Sequence, residues 1–145
     1  MITAVDTSVL IDVLIEDPQH GDSSEAALRR AAAEGKLVIC DVVYAELAGA
    51  FNERARLDAF LDGVGIERDL MAADSLFVAG VAWRAYVRNR GSVKCPSCGT
   101  GLAWRQHLVS DFFIGAHARI RADRLLTRDR GFYRTYFSEL VLMEA

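Results

Sequence analysis

Little in this sequence speaks for cross-linking, secretion or a membrane. Only three cysteines occur in 145 residues, an odd number that gives no paired disulfide framework and fits a reducing cytoplasm. No apolar run approaches the roughly 20 residues that span a bilayer. The most apolar opening, residues 2–15, is interrupted by Asp6 and Asp12 and has no basic leader, so it reads neither as a membrane span nor as a signal peptide. Internal repeats, low-complexity tracts and linkers are lacking as well. No G-x-G-x-x-G follows the first apolar run, which disfavours a dinucleotide site.

What is present suits one soluble globular domain over residues 1–145. A hydrophobic fraction of 52% with 26% charged residues is enough to bury a core without disulfide or metal staples. The net charge of −3 conceals two unequal halves. Residues 1–74 carry 6 Lys/Arg against 15 Asp/Glu, a balance of −9, and residues 75–145 carry 11 against 5, a balance of +6. Such a division suits a protein that gathers cations in one place and phosphates in another; an ordinary solvated surface explains it equally well.

Short apolar runs alternate with stretches of helical period, which predicts an α/β fold around a central, mostly parallel sheet. Strands are predicted at 2–5, 37–40, 125–127 and 140–142, with a weak one at 64–67. Helices are predicted after the first strand through Leu14, then at 23–34 (stopped by Gly35), 41–50 (capped by Asp41), 54–61, 72–89, 109–122 and 131–137. The longest, 72–89, sets Leu76, Phe77, Gly80, Trp83 and Val87 on one predicted core face. Residues 91–107 include Gly91, Pro96, Gly99 and Gly101, show no periodicity and read as a loop insertion.

Four carboxylates stand out by position. Asp6 follows the first strand, at the carboxyl edge where open α/β sheets place ligands; an N-cap is the plain alternative. Glu46 is the only charge in the apolar stretch 42–51, so it needs a cation, a donor or water to offset desolvation, unless it lies on an exposed stripe. Asp111 is the sole acid of its helix and sits in the first turn, where the helix dipole also favours it. Gly115 and Ala118, on nearly the same face, would let that face approach another element closely. Asp129 follows a late strand, where a capping or turn aspartate is common. Asp123 precedes that strand, at the opposite edge, and drops out; Asp12 and Glu16 read as solvated. Carboxylates gathered at one edge repel unless a divalent cation neutralises them. All-oxygen ligation is what Mg²⁺ and Mn²⁺ prefer, and such ions assist phosphodiester displacement.

Four stretches, in order along nearly the whole chain, carry a resemblance. Val5-Asp6-Thr7-Ser8, Tyr44-Ala45-Glu46-Leu47, 111–118 (Asp-Phe-Phe-Ile-Gly-Ala-His-Ala) and 125–132 (Leu-Leu-Thr-Arg-Asp-Arg-Gly-Phe) resemble the PIN-domain nucleases, most closely the VapC-type toxins of toxin–antitoxin pairs. The resemblance implies a three-layer α/β/α domain and a Mg²⁺- or Mn²⁺-dependent endoribonuclease. It gives Asp6, Glu46, Asp111 and Asp129 as the acidic, metal-binding positions and Ser8 and Thr127 as supporting hydroxyls. It also implies a homodimer, a cognate VapB-type antitoxin and an RNA substrate such as tRNA, rRNA or mRNA. Arg128 and Arg130, beside Asp129, are candidates to hold RNA phosphates.

Other features point elsewhere or nowhere. Cys95 and Cys98 form a C-x-x-C inside the loop insertion, suggestive of zinc, but no second pair completes the usual four ligands. His107 or a second subunit could contribute; Cys40 reads as core. His117, six residues after Asp111, falls on another helical face and reads as structural; Trp83 and Tyr86 read as packing. A phospho-aspartate protein is a different class, but neither an acidic pair after strand one nor Asp-x-Asp is present. A catalytically silent RNA- or protein-binding module remains the other alternative.

Overall fold

The computed structural model describes residues 1–89 and 109–145. The elements run β1 (Ile2–Val5), α1 (Thr7–Leu14), α2 (Gly21–Glu34), β2 (Lys36–Ile39), α3 (Asp41–Ala48), α4 (Arg54–Val64), β3 (Ile66–Arg68), α5 (Ala73–Asn89), α6 (Ser110–Arg121), β4 (Arg124–Thr127), α7 (Arg130–Tyr136) and β5 (Leu142–Glu144). The predicted insertion at 91–107, with Cys95, Cys98 and His107, lies outside the described residues.

The strands are short and apolar because helices cover both faces of the sheet. Three of the four residues in each of β1, β2 and β4 are buried. All five strands pair in parallel in the order β3-β2-β1-β4-β5. Helices α1 and α2 pack together and reach β4 and β2, while α5 packs on α6, which lies over β1 and β4. The result is a three-layer α/β/α domain. The chain first builds outward from β1 to β3, then crosses back to place β4 on the other side of β1. This reversal puts the topological switch point between β1 and β4, whose carboxyl ends therefore border the crevice where such sheets take ligands.

Three expectations need correction. The last strand is Leu142–Glu144 rather than 140–142. Its register is set by β4, with Leu125 opposite Leu142 and Leu126 opposite Met143, while Leu140 and Val141 lead into the pairing. On α5 the closest packing comes from Ser75 and Ala79, both fully buried, with Trp83 and Tyr86 stacked beside them. Leu76 and Phe77 face outward, the latter 74% exposed. Small residues let α5 approach α6, so the large side chains on the other stripe are not the ones that pack. Asp12, finally, is buried: it accepts hydrogen bonds from Ser24 Oγ at 2.7 Å and pairs with Arg128 Nε at 2.9 Å.

Candidate active site

Asp6 is the residue immediately after β1, and it is buried. Although it occupies the N-cap position of α1, its side chain makes no capping bond. Instead Thr127 Oγ1, at the end of β4, donates to Asp6 Oδ2 at 2.6 Å, and Ser8 Oγ donates to the same oxygen at 3.1 Å. The backbone N–H of Asp6 is tied to Leu126 O at 3.0 Å. Burial pushes the Asp6 carboxyl above its ordinary range, and the Thr127 and Ser8 hydrogen bonds pull it partly back.

Thr127 does two jobs with one hydroxyl. While donating to Asp6 it accepts the backbone N–H of Asp129 at 3.0 Å. Asp129 in turn caps α7, accepting Phe132 N–H at 3.2 Å through Oδ1. The capping role is therefore real, and it leaves the aspartate at the same edge as Asp6.

Glu46 lies on an exposed stripe of α3, the second of the two settings its apolar neighbours allow. It is anchored by Thr7, whose hydroxyl donates to Glu46 Oε2. Thr7, one of the two hydroxyls that follow Asp6 at the start of α1, is thereby a supporting group for Glu46 rather than for Asp6.

Asp111 opens α6 and is half-buried. Burial, followed by the charges of Asp6, Glu46 and Asp129, raises its pKa to about 6. Elements from four parts of the chain thus bring the four acids within mutual electrostatic reach. Helix α6 is held in place partly by Gly115, where an added Cβ would lie only 2.4 Å from the ring of Phe137 beyond α7. The expected close approach at Gly115 is made by that ring, which couples the Asp111 helix to the segment following Asp129.

The arginines beside the acids are engaged. Arg128 pairs with buried Asp12, and Arg130 Nη2 meets Glu144 Oε1 at 2.7 Å. His117 is buried and bonded to Asp69, which also receives Arg121; burial holds the imidazole below its usual range. It is part of that structural cluster. Cys40 is a buried core thiol.

Among the described residues, no three His, Cys, Asp or Glu side chains already converge closely enough to hold an ion. Like-charged carboxylates stand apart unless a cation screens them. The donor chemistry nonetheless fits a hard divalent cation: the set is all oxygen, and its surplus negative charge is felt at Asp111. A cleft of about 320 Å³ lined by Tyr44, Phe51, Arg54, Leu57 and Arg68 borders α3 on the helical face away from Glu46.

An open α/β sheet with acids gathered at its switch point defines a class of ligand-binding domain. Within that class, residues 3–138 match the PIN domain family, and the chain belongs to it. No curated protein matches. Among solved structures, the chain is similar to VapBC2 from Rickettsia felis bound to a DNA fragment from its promoter, at 20% identity, TM-score 0.65, over 99% of this chain and 98% of that one. It is also similar to VapBC-1 from nontypeable Haemophilus influenzae, at 17% identity and TM-score 0.64, over 99% and 98%. DNA-bound VapBC from Salmonella typhimurium shares 20% identity and a TM-score of 0.60, again over 99% and 98%. At these identities the likeness is one of fold. Among the described residues, no helix is long and apolar enough to cross a membrane.

Proposed function

We propose that this chain is a divalent-metal-dependent endoribonuclease, acting as the toxin of a VapBC-type pair. The observation that carries the reading is the placement of Asp6 after β1, Asp129 after β4, Glu46 on α3 and Asp111 at the start of α6. They are close enough that burial and the other three charges together raise the Asp111 carboxyl. VapBC complexes among the structural relatives support the toxin role and a VapB-type antitoxin as partner. RNA as substrate, a homodimer and a cytoplasmic location complete the proposal.

Asp6, Glu46, Asp111 and Asp129 would hold Mg²⁺ or Mn²⁺. The ion, when bound, supplies Lewis acidity and lowers the pKa of water for attack on a phosphodiester. The chain's own contribution is positioning. Thr127 and Ser8 both donate to Asp6 Oδ2 and so fix the rotamer in which the carboxylate would meet the ligand. Thr7 tethers the exposed Glu46, limiting the side-chain freedom that ligand binding would otherwise remove. Asp111, whose ionisation is raised to about 6 by burial and its acidic neighbours, would offer a carboxylate at neutral pH, and a bound cation would offset the repulsion from those neighbours.

Arg128 and Arg130 would contact phosphates through guanidinium nitrogens not engaged by Asp12 and Glu144. The test is Asp6→Asn, checked for folding by circular dichroism. Cleavage of RNA in Mn²⁺ is expected to fall by more than the roughly 100-fold that loss of an outer-shell partner costs. Wild-type rates in the folded variant would sink the assignment.

A further inference from the structure

Tyr133 is fully buried, at 0% exposure, yet among the described residues its hydroxyl has no hydrogen-bond partner. Buried polar groups are normally satisfied, and phenylalanine would fill the same space without leaving a donor stranded. The ring has little freedom to turn toward solvent. It stands edge-on to Phe132, with centroids 5.3 Å apart, and tilted against Phe137 at 6.4 Å. Tyr133 lies in α7, the helix that Asp129 caps, one turn after that acid in sequence. Its surroundings supply the second observation. Burial first, then the charges of Asp6, Asp111, Asp129 and Glu46, hold the phenol far above its ordinary ionisation range. It is therefore a donor that keeps its proton and feels the charge of all four carboxylates.

We infer that the Tyr133 hydroxyl belongs to the metal site as a positioning group, donating to a carboxylate oxygen or water that is drawn into place when a divalent cation settles among the acids. This rests on the nuclease reading above. The phenol keeps its proton throughout and neither gives nor takes one. Its role is that of an outer-shell donor: it orients an acceptor and offsets part of the negative charge facing the interior. Packing alone explains the ring but not the oxygen.

Tyr133→Phe removes that oxygen and nothing else. Purified free of metal, the variant and wild type would be titrated with Mn²⁺, with binding followed by calorimetry and by loss of the free-ion paramagnetic signal. The thermal midpoint of each metal-free protein would be measured alongside. The Mn²⁺ dissociation constant is expected to rise about ten-fold, in the range typical of outer-shell losses. The metal-free midpoint is expected to stay level or increase, because an unsatisfied hydroxyl has been removed. Unchanged Mn²⁺ affinity would overturn the inference. So would a lower metal-free midpoint, which would mean the hydroxyl serves the fold itself. Failure of wild type to take up Mn²⁺ would bring down the nuclease reading as well, whereas normal wild-type binding with an unaffected variant would remove this inference alone.

Discussion

At the scale of single residues, Asp111 sits in a position that opposes folding. A carboxyl that ionises near pH 6 in the folded chain and near 3.8 when unfolded favours the protonated native state. Its contribution is fully present below the unfolded pKa and is lost as pH rises through about 6. Metal-free protein should therefore gain stability from Asp111→Asn at pH 7.5, by about 1 kcal/mol once solvent screening at a half-buried group is allowed for. The gain should shrink toward zero near pH 4. Urea denaturation in chelator at both pH values checks this, and a stabilisation independent of pH would contradict it. Thr127 shows why residue identity at this edge is constrained. A single buried hydroxyl serves Asp6 and Asp129 at once, and no apolar isostere can replace either bond.

At the scale of elements, the Gly115 contact gives a sign test. Gly→Ala inside a helix normally stabilises by about 1 kcal/mol. Here the new methyl would meet the Phe137 ring at 2.4 Å, and overpacking of this kind costs about 1–3 kcal/mol. Gly115→Ala is accordingly expected to lower the thermal midpoint and to weaken Mn²⁺ binding, since α6 carries Asp111. A midpoint at or above wild type would show that the ring yields freely.

The same elements show what the sequence makes legible. Strands β1, β2 and β4 announce themselves as short apolar runs because both of their faces are covered, and the acids after β1 and β4 follow from chain direction alone. The packing face of α5 does not, because hydropathy ranks Leu76 and Phe77 above Ser75 and Ala79, whereas close helix packing selects the small pair. Asp12 misleads for a related reason. Its partners, Ser24 and Arg128, come from α2 and from the turn after β4, and a local pattern on α1 cannot contain them. Tyr133 is visible only as a neighbour of Asp129 at helical spacing; that its hydroxyl is unsatisfied depends on the three-dimensional surroundings.

At the scale of the whole molecule, the division into an acidic and a basic half largely dissolves. Arg121 meets Asp69, Arg124 meets Glu34 and Arg128 meets Asp12, each pairing the second half with the first. Arg119 and Arg130 are matched by Glu139 and Glu144. Among the described residues, five arginines of the basic half are thus engaged in ion pairs within the chain. RNA binding should depend on salt less steeply than a count of arginines suggests. For the Asp6→Asn variant with single-stranded RNA, the slope of log affinity against log salt should be no steeper than about −4, since each neutralised phosphate on a single strand contributes about −0.7. Fluorescence anisotropy between 50 and 200 mM salt, roughly the range where such slopes are read, gives the answer. A slope near −7 would mean that the ion pairs open to the nucleic acid.

The bond from Thr127 to Asp6 also sets a timetable. Its two partners stand 121 residues apart in sequence, so the amino-terminal aspartate has no orienting hydroxyl until translation has passed β4. Because chains fold as they emerge, at about 5–20 residues per second, the interval is several seconds or more. A ribosome-bound fragment ending before Arg124 carries Asp6, Glu46 and Asp111 but lacks the strand that aligns the first of them and the turn that brings Asp129. Assembly of the four acids at the sheet edge is thereby deferred to the closing stage of synthesis.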